Sequence, residues 1–263
     1  MCATGVGVDM RKLCLEGRRT KILKEIIDWI DDPTLIVPRI FWLYSHVGED
    51  NSSIAHTIAW HVWNCGKLGS CFRFSWDRQV EKLHEKVVPM ITRDLAAWDI
   101  RLKPILADAL ALNLSLGSTP DIMQQWQKLI SEPLSRLKGA IVGNVVIVID
   151  ALDESGDDTT HQHVLEFLTS PEAASNLPSN FCIFLTSRPE ADIRRGLNSV
   201  CHIKSRSLDE IPTYSTAQNV HLSISEEPDS NGVRFHLWPN LVSLHPSPFF
   251  FFQLSTATAT ADL

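Results

Sequence analysis

The strongest chemical signal in the chain is the run VVIVIDALDE at residues 145–154. A β-branched stretch leads into Asp150, and Asp153 and Glu154 follow within one turn. An apolar strand that ends in acids at the carboxyl edge of a parallel sheet puts those acids where such sheets bind ligands. In phosphoryl transfer the first acid of such a group holds Mg²⁺, usually through water, and a following acid orients or deprotonates the attacking water. Asp150 is therefore the candidate metal ligand, and Asp153 and Glu154 are the candidate catalytic acids. Read alone, the string fits equally well a buried strand that merely exits at a polar loop.

About one helix later comes FLTSRPE at residues 184–190. A strand ending in Thr186, Ser187 and Arg188 brings a hydroxyl and a guanidinium to the same edge, and the guanidinium fork suits phosphate oxygens. The bland alternative is an Arg188 that caps its loop or pairs with Asp192. Upstream, IFWLY at residues 40–44 runs into SHVGEDNSS at residues 45–53, where a phosphate loop is expected. A working loop reads G-x-x-x-x-G-K-[ST], its glycines letting backbone N–H groups close on the phosphates and its Lys reaching their oxygens. Here Ser45 stands at the first Gly, Asp50 at the second and Asn51 at the Lys, so only the internal Gly48 and Ser52, the Mg²⁺-ligand position, fit.

Those substitutions change the electrostatics. Asn51 removes a cation, and Glu49 and Asp50 add two carboxylates to an anion cradle. Two unit charges about 4 Å apart interact by roughly 4 kcal/mol at an effective dielectric near 20, so one inward-facing carboxylate weakens phosphate binding by orders of magnitude. Asp50 is also expected at a backbone position where Gly supplies positive φ. Weak or absent hydrolysis follows.

The elements that must position these residues are legible from periodicity. Residues 21–30 (KILKEIIDWI) place Ile22, Ile26, Ile27 and Ile30 on one helical face, and Asp31, Asp32 and Pro33 end that helix. A strand over 40–44 is followed by a polar loop over 45–51 and a helix starting at Ser52. A second strand is expected over 68–75, helices over 79–98, 102–114 and 122–137 with a break or a new start at Pro133, and a short helix over 161–168. The runs at 145–150 and 181–187 read as buried central strands, with a last strand at 200–203. Strands alternating with helices imply an α/β fold, a parallel sheet with helices on both faces.

Residues 1–13 lack period and are expected to be disordered. After Ile211 five prolines and the run Phe249 to Phe252 punctuate a tail over 212–263 that is expected to have little fixed structure. Apolar content of 44% fits one substantial core. A net charge of −7 without a basic stripe excludes a surface built to neutralise nucleic acid or anionic lipid. No apolar run approaches the roughly 20 residues of a membrane helix. Six cysteines without paired or metal-ligating spacing point to a reducing, cytoplasmic location.

Taken together, CLEGRR at 14–19, the helix ending in Trp29-Ile30, IFWL at 40–43, SIAHTIA at 53–59, LGSCFRF at 68–74, QWQKLISEPL at 125–134, VIDALDE at 148–154 and LTSRPE at 185–190 resemble the nephrocystin-type NACHT domains abundant in mushroom-forming fungi. The resemblance spans residues 14–211. It implies a STAND switch: a P-loop NTPase-like core with a five-strand parallel sheet that holds ADP at rest and ATP, or GTP, with Mg²⁺ when active, within receptors that form homo- or hetero-oligomers. By position it assigns Gly48, Asn51, Ser52 and Ser53 to the phosphate loop, Ser52 and Asp150 to Mg²⁺, Asp153 and Glu154 to water activation, and Arg188 to phosphate sensing. Three readings follow: a degenerate signalling module without turnover, a slow Mg²⁺-dependent NTPase switch, and a truncated fragment of a larger receptor.

Overall fold

A computed structural model describes residues 8–211 except 16, 33–37, 47–48, 77–82, 114, 118, 120, 138, 172–176 and 199. The tail after Ile211 and Gly48 therefore lie outside the described residues. The elements in chain order are α1 (Thr20–Asp31), β1 (Ile40–Tyr44), α2 (Glu49–Asn64), β2 (Leu68–Arg73), α3 (Leu83–Trp98), α4 (Leu102–Leu112), α5 (Ile122–Trp126), α6 (Glu132–Arg136), β3 (Val145–Asp150), α7 (Asp158–Thr169), β4 (Phe181–Ser187), α8 (Ala191–Leu197) and β5 (Ile203–Ser207).

The five strands form one all-parallel sheet in the order β2-β3-β4-β1-β5. β3 and β4 are buried at every position, which is why their sequences are unbroken apolar runs rather than alternations. Ile147, Ile149, Ile183 and Leu185 join the cluster that α3 to α8 cover. Phe41, Leu43, Val148 and Phe184 lie outside that cluster and are fully buried on the other face, with Ile54 and Ile58 of α2 and Ile22, Ile26 and Ile30 of α1. Trp29 meets Phe41 edge-on at 5.3 Å, which docks α1 beside β1. Each such apolar side chain contributes about 1.5–3 kcal/mol when fully buried.

Several boundaries differ from the sequence reading. The helix expected from Ser52 starts three residues earlier, at Glu49, so Asp50 and Asn51 are helical rather than loop residues. Asp50 does not have positive φ; among described non-glycine residues only Arg19 and Ala151 do. The last strand is β5, five residues from Ile203, rather than residues 200–203. It is buried only at its two ends, with exposed Ser205 between half-open Lys204 and Arg206, so it carries no apolar run to reveal it. Pro133 marks a new start, as one of its two readings has it: α6 opens at Glu132 with Pro133 in its first turn, where a missing N–H is tolerated, and a π turn over Gln127–Ser131 leads into it, with Glu132 N–H donating to Gln127 O.

Residues 1–7 lie outside the described set. Within the stretch 1–13 expected to be disordered, Asp9 is tied to α2, its N–H donating to His56 Nδ1 at 3.1 Å; Cys14, the first residue of the expected domain, donates its N–H to Thr57 Oγ1 at 2.9 Å. Single backbone bonds to a neighbouring helix leave no periodic trace in sequence. Among the described residues, no helix is long and apolar enough to cross a membrane.

Candidate functional site

The strand order fixes where a site can form. From β1 the chain runs outward to β2, returns through β3 and β4 to β1's side, and then crosses β1 to β5. The connections leaving β1 and β4 therefore diverge, and the crevice outside their carboxyl ends is the switch point at which open parallel sheets take ligands. Ser45, Asn51 and Ser52, Asp150 to Glu154, and Ser187 and Arg188 all lie at this edge.

Asp150, 1% exposed, is the hub. Its Oδ1 accepts hydrogen bonds from Ser52 Oγ at 3.1 Å and Thr186 Oγ1 at 2.6 Å. Arg73, its partner in the β2–β3 register, places Nε 3.7 Å from Oδ2. Asp150 Oδ2 and Arg73 Nη1 are both buried without a hydrogen-bond partner. Ala151 then takes a left-handed turn, φ 59°, a conformation costing a non-glycine residue roughly 1–2 kcal/mol. Its N–H donates to Thr186 Oγ1 at 3.2 Å.

That turn redirects Asp153 toward β4. Asp153 Oδ1 accepts the Arg188 backbone N–H at 2.9 Å, and Oδ2 lies 3.6 Å from Arg188 Nε. Asp153 thus closes the gap between two strand ends, and Arg188 pairs with it rather than with Asp192. Asp192 instead binds His161 Nδ1 at 2.7 Å, while His161 Nε2 lies 3.3 Å from Asp153 O. Asp158, His161 and Asp192 could group around a cation, but both His161 nitrogens are already engaged, Nδ1 joining α7 to α8 and Nε2 joining it to the turn after β3. Glu154, half-buried, accepts the Trp76 N–H at 3.3 Å, and burial pushes its carboxyl above the ordinary glutamate value.

The phosphate-loop positions depart further from expectation. Asn51 is 5% exposed and donates Nδ2 to Ser187 O at 3.0 Å, tying α2 to β4; its Oδ1 is buried without a partner. Trp42 Nε1 donates to Ser187 Oγ at 2.8 Å, completing the β4 end. The Asp50 carboxylate, expected to face the anion cradle, is held by Arg19: Nε and Nη2 reach Oδ2 at 3.0 and 2.6 Å, with Arg18 Nη2 3.9 Å from Oδ1. It is a neutralised tie between the start of α1 and the start of α2. The Ser53 carbonyl accepts the Thr57 hydroxyl at 2.7 Å inside α2.

The sequence reading thus assembled Ser52, Asp150 and Thr186 at one edge but missed Arg73 and Arg19. A charge at the last position of the apolar β2, beside a strand that ends in an acid, was the signal for Arg73. For a phosphate ligand the fit is incomplete, because a buried amide stands where a cation should reach. For Mg²⁺ the oxygen donors are present in Ser52 and Asp150, but the free carboxylate oxygen faces a guanidinium.

None of the curated proteins matches the chain. A family model described as nephrocystin 3, N-terminal, matches residues 20–188, from the first residue of α1 to the Arg188 that ends the site. Because that match covers more than half of the chain, the protein belongs to the nephrocystin 3 N-terminal family.

Proposed function

We propose that this domain is a regulatory or signalling module of the NACHT/STAND kind with weak or no nucleoside triphosphate hydrolysis, working in the cytoplasm through oligomers with other NACHT/STAND proteins. The observation that supports this reading is Asn51. At the position where a Lys would carry charge to a phosphate, its amide is spent on the Ser187 carbonyl. Asp153, the first candidate for water activation, is likewise committed to Arg188. ATP, ADP or GTP would lie along Gly48, Asn51, Ser52, Ser53 and Arg188, and any Mg²⁺ that entered with the nucleotide would have Ser52 and Asp150 as its ligands, against the guanidinium of Arg73.

The test is a titration of the full chain with a fluorescent ATP analogue and Mg²⁺, beside Asn51→Lys, with phosphate release followed in parallel. We leave Asp50 in place because its carboxylate is bound to Arg19. Saturable binding by Asn51→Lys and none by the natural chain in the micromolar range is the expected result. Micromolar binding with phosphate release by the natural chain overturns the proposal.

A slow Mg²⁺-dependent NTPase switch is the second reading, favoured by the Ser52–Asp150 hydrogen bond and by the raised Glu154, a carboxyl tuned toward proton transfer nearer neutral pH. It requires Mg²⁺-dependent binding that Asp150→Ala abolishes.

A further inference from the structure

We infer that the Arg73 guanidinium is a built-in counter-ion standing in for a divalent cation at Asp150, so that Arg73 makes this site metal-independent. The inference rests on the reading of the strand edge as a phosphate-facing site and names what sets its metal requirement. Arg73 and Asp150 are register partners on adjacent parallel strands, so their side chains leave the sheet side by side at the same edge. Asp150 Oδ1 is occupied by two hydroxyl donors, Ser52 and Thr186. Only Oδ2 is left for a cation, and Arg73 Nε lies 3.7 Å from it.

The same guanidinium also acts on Glu154, whose carboxyl it draws downward against the larger effect of burial. One cation therefore faces two acids, the pair that a divalent ion would face in a phosphoryl-transfer centre. His56 adds no competing charge: burial pushes its imidazole down, and its Nδ1 accepts the Asp9 N–H. Mg²⁺ demands an octahedron of oxygens and brings two positive charges. Arg supplies five N–H donors, no acceptor and a charge that cannot be titrated away. A metal at Asp150 must displace Arg73 or sit against it. By contrast, the unpartnered Arg73 Nη1 is a donor suited to an anionic oxygen.

The experiment is a Mn²⁺ titration of the full chain, without nucleotide, followed by electron paramagnetic resonance. Three proteins are compared: the natural chain, Asp150→Asn and Arg73→Gln. The natural chain should show no Mn²⁺ site that Asp150→Asn removes. Arg73→Gln should gain a site at least ~10-fold tighter, and adding Asp150→Asn to it should abolish that site. A site in the natural chain that is lost in Asp150→Asn overturns the inference, as does a folded Arg73→Gln that binds no better than the natural chain. Should Arg73→Gln fail to fold, the natural chain and Asp150→Asn decide alone. Phosphate release is read separately, so turnover without a Mn²⁺ site defeats the proposed function and leaves this inference standing.

Discussion

At the scale of single residues, the site is an edge at which strand ends bind one another's polar groups, while Asp150 Oδ2, Arg73 Nη1 and Asn51 Oδ1 stay buried without a hydrogen-bond partner. Asn51, Asp153 and Asp150 each spend side-chain atoms on a neighbouring strand end. Asn51→Leu should therefore cost stability, because it leaves the Ser187 carbonyl buried without its donor; about 1–3 kcal/mol is expected, measured by urea denaturation. Glu154 behaves in the opposite sense. Burial raises its folded pKa above the ordinary value of 4.5, so proton binding favours the folded state. Its stabilising contribution is fully present below pH 4.5 and is lost as pH rises through the raised folded value. The stability of the natural chain relative to Glu154→Gln should fall across that window, and a flat difference would show that Glu154 titrates normally.

At the scale of elements, what was legible in sequence follows burial. β1, β3 and β4 were readable to the residue because a strand covered on both faces must be apolar throughout. β5 was misplaced because an edge strand that leaves Lys204 and Arg206 half open carries no such run. The start of α2 was misjudged because a motif defined by glycines suggested a loop where Asp50, paired with Arg19, already sits in helix. Pairs such as Arg19–Asp50 and Arg73–Asp150 join residues far apart in sequence, and no local spacing encodes them. Gly69 in β2 shows the same limit. Its place in a strand has no periodic explanation, yet a Cβ there would stand 2.8 Å from Val145 Cγ1 and 2.9 Å from Leu95 Cδ2. The strand pairing is irregular between Leu68 and Ser70, and α3 packs on that spot. Gly69→Ala should push β2 away from β3 or α3, costing about 1–3 kcal/mol. An unchanged denaturation midpoint would mean that α3 yields freely. Because Arg73 ends the same strand, the substitution should also loosen its alignment with Asp150.

At the scale of the whole molecule, the question is whether the fold depends on a nucleotide. A domain built around a bound nucleotide leaves charged groups at its switch point exposed to one another until the ligand arrives. Here each major charge at the edge is met internally: Asp150 by Arg73, Asp153 by Arg188, and Asp50 by Arg19. The two faces of the sheet are covered independently of that edge, by α1 and α2 on one side and by α3 to α8 on the other. Both cores therefore bury their apolar surface without a ligand. A ligand at 100 times its Kd adds ~2.7 kcal/mol to a folded state that alone binds it. For a domain of this size each kcal/mol raises Tm by ~2–4 °C, so real occupancy moves it by roughly 5–11 °C. Millimolar Mg-ATP should move the Tm of the natural chain by less than ~1 °C and that of Asn51→Lys by several times more. A shift of ~5 °C or more in the natural chain would mean that the edge opens to the nucleotide, with Asn51 and Arg73 giving up the partners they hold here.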